Sequence, residues 1–175
     1  FIKKIRDIYF LLRFGYGNFL IKYLVTFFSH LIFKRKFIFD FENSSFSNKW
    51  FYQNASYINY LLSRKKEEVN KILEIGSYEG QSAFFFLKFF FNSKISCVDI
   101  WQDQEKNYQN IRFKDIEHSF DNNLKNYKSR VSKYKGTSKI FFKNNSHKDF
   151  DFIFIDGSHY IKHVYQDAIN SFKSL

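Results

Sequence analysis

Apolar residues along this chain come in short runs separated by polar or glycine-containing breaks. Ile72, Leu73 and Ile75 form a compact run that stops at Gly76, as a buried parallel strand does where it enters a turn. Ala83-Phe84-Phe85-Phe86-Leu87 follows Gly80 and is long enough for a helix packed on a sheet. Lys94 to Trp101 reads as a second strand carrying Asp99 near its end. Ile116, Phe120, Leu124 and Tyr127 recur at helical spacing and predict an amphipathic helix. Val131 to Lys135 reads as a short third strand, followed by the small-residue turn Gly136-Thr137-Ser138 and the apolar Ile140-Phe141-Phe142. A fourth strand starts at Phe150 and ends abruptly in Asp156-Gly157-Ser158-His159, and Val164, Ala168, Phe172 and Leu175 then follow at helical spacing.

Strands alternating with helices predict an α/β, Rossmann-like, doubly wound and mostly parallel sheet. Right-handed crossovers give it the order 3-2-1-4. The last helical pattern still runs at Leu175, so the chain reads as a C-terminally truncated fragment whose later strands are missing. Upstream, Trp50 to Arg64 predicts a helix with Ala55, Ile58, Leu61 and Leu62 on one face. The polar stretch 40–49 marks a boundary. Residues 1–45 are then a basic, aromatic, helical N-terminal extension, and 46–175 carry the sheet.

Charge sharpens that division. The net charge is +11, and residues 1–39 hold eight Lys or Arg against Asp7 alone, a net +7. The rest is only mildly basic, so no nucleic-acid face is expected. Lys22 and His30 interrupt the apolar content of the extension, which leaves no transmembrane span of about 18 residues. Two helices broken near Gly15 and Gly17 are expected there, either packed on the domain or lying on an anionic membrane surface. A single cysteine, Cys97, excludes an internal disulfide framework and fits a cytoplasmic protein, with peripheral contact at the inner face of the membrane through residues 1–39. The 26 Phe residues stand where Leu or Val would ordinarily fill a core, so aromatic richness does not argue for base stacking.

The candidate chemistry gathers at strand ends. Lys71-Ile72-Leu73-Glu74-Ile75-Gly76-Ser77-Tyr78-Glu79-Gly80-Gln81-Ser82 combines a strand, a glycine turn and a helix start, an arrangement in which backbone N–H groups face a ligand. Its glycines follow Gly-x-x-x-Gly rather than G-x-G-x-x-G, and the carboxylates Glu74 and Glu79 suit a ligand bearing an ammonium group better than one bearing phosphates. Asp99 lies 23 residues after Gly76, close to the offset of roughly 20 residues at which such folds place a ribose-binding carboxylate. With Asp156, acidic groups from three strand ends converge on the carboxyl edge of the sheet, where open α/β folds bind ligands.

These residues together resemble the class I S-adenosylmethionine-dependent methyltransferases. The bacterial subgroup with L-E-I-G-S-x-E-G-x-S and I-D-G-S-H motifs is most similar, matched here by Leu73–Ser82 and Ile155–His159. The resemblance covers about residues 46–175. It implies S-adenosyl-L-methionine as cofactor, with Gly76, Ser77 and Gly80 along its methionine part and Glu74 orienting that end. It also implies Asp99 on the ribose, Thr137 and Ser138 beside the adenine, and Tyr78, Ser82, Ile100, Trp101 and Asp156 completing the cofactor site. Asp156 is implied as a catalytic acid near the reacting methyl or as a metal ligand, and metal dependence stays open. His159 is the candidate general base, since an imidazole titrates near neutral pH; His118 and His163 read as surface residues. The expected activity is methyl transfer to a small hydroxylated acceptor, a sugar or glycan precursor by family analogy. A nicotinamide-dependent oxidoreductase and a non-catalytic membrane-associated binding module are the alternatives.

Overall fold

The computed structural model describes residues 44–48, 50–51, 55, 58–59, 61–62, 67–102, 113–145 and 149–175. The basic extension of residues 1–39 lies outside them. Among the described residues from Lys71 onward the elements are β1 (Lys71–Ile75), α1 (Gln81–Phe89), β2 (Lys94–Asp99), α2 (Phe113–Asn123), a 3-10 turn (Lys125–Arg130), β3 (Val131–Lys135), α3 (Ser138–Asn144), β4 (Phe152–Ile155) and α4 (Ile161–Phe172). The strands form one sheet in the order β3-β2-β1-β4, and all three pairings are parallel. That is the order expected from the alternating pattern. Upstream, the described positions Ala55, Ile58, Asn59, Leu61 and Leu62 are helical, as their spacing predicts.

Strand alternation divides the core between the two faces of the sheet. Ile72, Ile95 and Cys97 pack with Phe51, Phe85, Phe86 and Phe90 on the face covered by α1, while Leu73, Ile75 and Val98 pack with Phe141, Phe142 and Phe150 on the other. The Phe86 ring centre lies 5.1 Å from Phe152 and 5.2 Å from Phe154, within the range of edge-to-face packing. Phenylalanine does the work of aliphatic core residues here.

Arg130 secures the far end of α1. Its Nε donates to the Ser93 carbonyl at 2.7 Å, and one terminal nitrogen donates to the Leu87 and Phe90 carbonyls at 2.8 Å. Those carbonyls include ones that a helix C-terminus leaves without partners, where a cation is also favoured by the helix dipole.

One local expectation is corrected, and two further elements gain detail. The helix expected from Ile116 to Tyr127 ends at Asn123 and continues as a 3-10 turn. Ile140-Phe141-Phe142 belongs to the short helix α3, whose N-cap Thr137 accepts from the Ile140 amide. In α4 the stripe Val164, Ala168 and Phe172 does not face the sheet: all three are exposed, and Asp167 and Ser171 are buried instead. No strand lies beyond β4 among the described residues, so that stripe has no sheet to pack on.

Candidate functional site

The ladder continues past the strand ends and draws three loops onto one edge. Gly76 N donates to Val98 O at 2.8 Å, Gly136 N to Asp99 O at 2.9 Å, and Asp156 N to Ile75 O at 2.8 Å. The carboxyl ends of β1, β2 and β4 and the loop after β3 therefore meet at this edge, as the sequence pattern requires.

Gly76 has a physical reason to be glycine. Its φ is +89°, and a Cβ there would stand 2.2 Å from the Asp156 carbonyl oxygen and 2.5 Å from the Gly157 Cα. The β1 and β4 loops thus touch backbone to backbone. The chain then turns through Tyr78, another left-handed residue at φ 47°, and enters α1 at Gly80. No side chain caps this N-terminus and no acidic residue lies in its first turn, which favours an anionic ligand group there.

Asp99 holds this turn in place. Its Oδ2 accepts from the Tyr78 amide and its Oδ1 from the Trp101 amide, both at 2.8 Å. The Trp101 indole closes the ring by donating to the Tyr78 carbonyl at 2.9 Å. Trp101 is buried and, like Tyr78, adopts a positive φ, 43°. Both are non-glycine residues in a conformation that costs energy and is retained where surroundings enforce it. Each Asp99 oxygen still has lone-pair capacity for a ribose hydroxyl. Ile100 lies between these two anchors.

Glu74 is fully buried on the α1 face, and neither of its carboxyl oxygens has a hydrogen-bond partner. Burial pushes its carboxyl up to about 7; Ser77, Ser82 and Cys97 nearby offset part of that rise, and the charge of Asp99 adds to it. Ser77 Oγ is likewise buried without a partner. Ser82 is buried in the first turn of α1. Unsatisfied groups of this kind are costly, and their clustering under the glycine turn fits a polar ligand end that supplies donors.

Glu79 has another task. Its Oε2 accepts from the Ser47 amide at 2.7 Å, and its carbonyl accepts from Asn123 Nδ2 at 2.9 Å. Gln81 takes the Phe51 amide at 3.0 Å and donates to the Asn48 carbonyl at 3.1 Å. Asn123 also exchanges two bonds with the Ser45 backbone. Together they strap residues 45–51 across the glycine turn and set the exposed Trp50 ring 5.4 Å from Tyr78. Sequence reasoning missed this strap, since its partners lie 30 to 78 residues apart. It also grouped Glu79 with Glu74 as an ammonium partner, whereas the Glu79 side chain binds the strap.

On the β4 side, Asp156 is exposed, yet the crowded strand ends raise its carboxyl above the usual carboxylate value, while the charge of His159 works in the opposite direction. His159 is exposed beside it. His163 bonds Ser158 Oγ through Nδ1 at 2.9 Å, and both His163 and His118 are on the surface as read from the sequence. Thr137 and Ser138 sit at the N-terminus of α3, beyond the Gly136 amide that is bonded to Asp99. Burial also raises the carboxyl of Asp167, which Ser138 and His163 partly offset. Ser138 therefore faces α4 as well as the loop edge. Among the described residues no group of three or more His, Cys, Asp or Glu could hold a metal ion, and no helix is long and apolar enough to cross a membrane.

Comparison with known proteins bears on the fold and the family. None of the curated proteins matches the sequence. Among solved structures, the S-adenosylhomocysteine-bound methyltransferase PaMTH1 of Podospora anserina superposes with a TM-score of 0.50 at 19% identity, over 68% of this chain and 47% of that one. A Staphylococcus aureus protein provisionally assigned as a caffeoyl-CoA O-methyltransferase gives 0.51 at 20% identity, over 83% of this chain and 65% of that one. At such identities the likeness is one of fold, and the chain spans less than two thirds of the length of either structure. A family model described as a methyltransferase domain matches residues 73–175, from the middle of β1 through α4. With more than half of its length so matched, the chain belongs to the methyltransferase-domain family.

Proposed function

We propose that this protein transfers a methyl group from S-adenosylmethionine to a hydroxyl of a small acceptor, with a sugar or glycan precursor as the leading class. The observation that carries the reading is the Asp99 carboxylate bonded to the turn amide of Tyr78 beside the buried, unpartnered Glu74. One sheet edge thereby offers a carboxylate for ribose hydroxyls, a carboxyl for an ammonium and an uncapped helix N-terminus for the methionine carboxylate. Gly76, Ser77, Gly80 and Ser82 would line the methionine end, and Ile100, Trp101, Thr137 and Ser138 the nucleoside end. The bound cofactor supplies an electrophilic methyl on a sulfonium. The protein aligns the acceptor oxygen, excludes water and removes one proton.

His159 would take the proton of the acceptor hydroxyl, leaving the oxygen free to accept the methyl that the cofactor would supply. Asp156 stands beside His159 and holds its imidazolium. Asp156 is also the residue a divalent metal would use in a metal-assisted variant of the same transfer. The provisional O-methyltransferase assignment of the Staphylococcus aureus neighbour supports oxygen as the acceptor atom. We place the reaction in the cytoplasm, with residues 1–39 as a contact to an anionic membrane surface; liposome pelleting unchanged by deleting 1–39 would remove that contact.

Radiolabelled S-adenosylmethionine incubated with a panel of hydroxylated sugars tests the function, with and without a divalent cation. Label transfer that His159→Ala slows at least tenfold supports it. Folded protein that binds the cofactor and labels no acceptor would favour a binding module. The strap and the Asp99 ring are compatible with either outcome, so turnover decides.

A further inference from the structure

Glu74 presents a problem that the cofactor reading leaves open. Its side chain is fully buried, and both carboxyl oxygens lack a partner. The groups that act on it are Ser77, Ser82, Cys97 and Asp99, and none of these is a cation. Ser77 and Ser82 come from the turn and the start of α1. Cys97 is its register partner on β2, and Asp99 lies two residues further along that strand. On the other side β4 presents Phe154 in register with it, an apolar neighbour. An ionised carboxylate in such surroundings carries a desolvation cost that the Ser77, Ser82 and Cys97 groups offset only in part. A second carboxylate at Asp99 makes that state worse.

Resting on the cofactor reading above, we infer that Glu74 stands neutral beneath the glycine turn and gives up its proton to solvent when the cofactor's ammonium group arrives. The balance is simple. The carboxyl O–H bond breaks, the proton leaves to buffer, and the carboxylate that remains pairs with the ammonium. Ser77 Oγ, buried and unpartnered alongside, can donate to the carboxylate so formed. Recognition of the ammonium is therefore coupled to proton release, and affinity for the cofactor rises with pH across the range in which Glu74 would otherwise hold its proton. The Cys97 thiol, itself pushed up by burial and by Glu74, stays protonated throughout.

Calorimetric titration of S-adenosylhomocysteine into the full chain at pH 6, in buffers of differing ionisation enthalpy, reads the proton directly. At that pH the ligand's own amine, titrating near 8, is fully charged and contributes nothing. Release of about one proton per bound ligand is expected, and none from Glu74→Gln. In the unmutated protein the release fades as pH is raised through 7, a series that decides the matter even where Glu74→Gln does not fold. Binding without proton release, or release that Glu74→Gln retains, overturns the inference and leaves the cofactor assignment standing. Absence of binding by folded protein overturns the cofactor reading and this inference with it.

Discussion

The Asp99 carboxylate accepts the Tyr78 amide at 2.8 Å, so the end of β2 fixes the turn that leaves β1. Its other oxygen takes the Trp101 amide at the same distance. One side chain thus shapes the loop on which a cofactor would lie and remains able to accept from it. Asp99→Ala leaves two loop amides without their acceptor, at a cost of about 1–3 kcal/mol. Thermal unfolding should show a lowered midpoint, and titration should show cofactor binding lost. A folded Asp99→Ala protein with unchanged affinity would separate the loop from the ligand.

The two turn glycines should differ in their tolerance of alanine. At Gly76 a Cβ meets backbone atoms at 2.2–2.5 Å and φ is +89°, whereas at Gly80 it meets Phe120 and Leu124 side chains at 3.0–3.3 Å with φ +81°. Side chains can shift and the paired loops cannot. Gly76→Ala should therefore cost more than about 4 kcal/mol, in the range of mutations that abolish folding, and Gly80→Ala about 1–2 kcal/mol. Urea denaturation of both variants checks the order, and equal losses would contradict the backbone contact.

Removing Arg130 tests how α1 is anchored. Arg130→Ala leaves the Leu87, Phe90 and Ser93 carbonyls without the guanidinium, and a loss of about 2–3 kcal/mol is expected for charge-assisted bonds to a helix end. Arg130→Lys should recover only part of it, because an ammonium lacks the planar fork. Chemical denaturation measures both.

Glu74 gives a pH signature of folding without ligand. Burial raises its carboxyl to about 7, above the unfolded value near 4.3. The native state therefore holds the proton that the unfolded chain has already lost, and stability falls as pH rises from about 4.3 to 7 and then levels. The decline attributable to this group is on the order of 3 kcal/mol. Glu74→Gln should lack that decline, which stability curves at pH 5 and pH 8 would show.

How far the sequence alone reaches follows from the range of each interaction. The four strands and their order were legible because apolar runs and right-handed crossovers are local or topological constraints. Gly76 and Asp99 were legible through spacing, and the structure brings them to one edge. The strap was not, since the bonds of Glu79 to Ser47 and of Gln81 to Phe51 join a loop to a segment far upstream. Nothing in the sequence singles out Arg130, because the carbonyls it binds lie 37 to 43 residues upstream. The helix α3 was hidden by its length of seven residues, too short to show a period. In α4 the stripe of Val164 and Phe172 is periodic as read, but periodicity alone does not say which face is covered, and Asp167 and Ser171 are the buried positions.

Cofactor binding is the claim on which the account turns, and the most direct measurement is calorimetric titration of S-adenosylmethionine into the full chain, with Asp99→Ala as control. The account predicts saturable one-to-one binding that the mutant loses while keeping its fold. Folded, unmutated protein that gives no heat of binding would contradict it, and the glycine turn would then be a shape without its ligand.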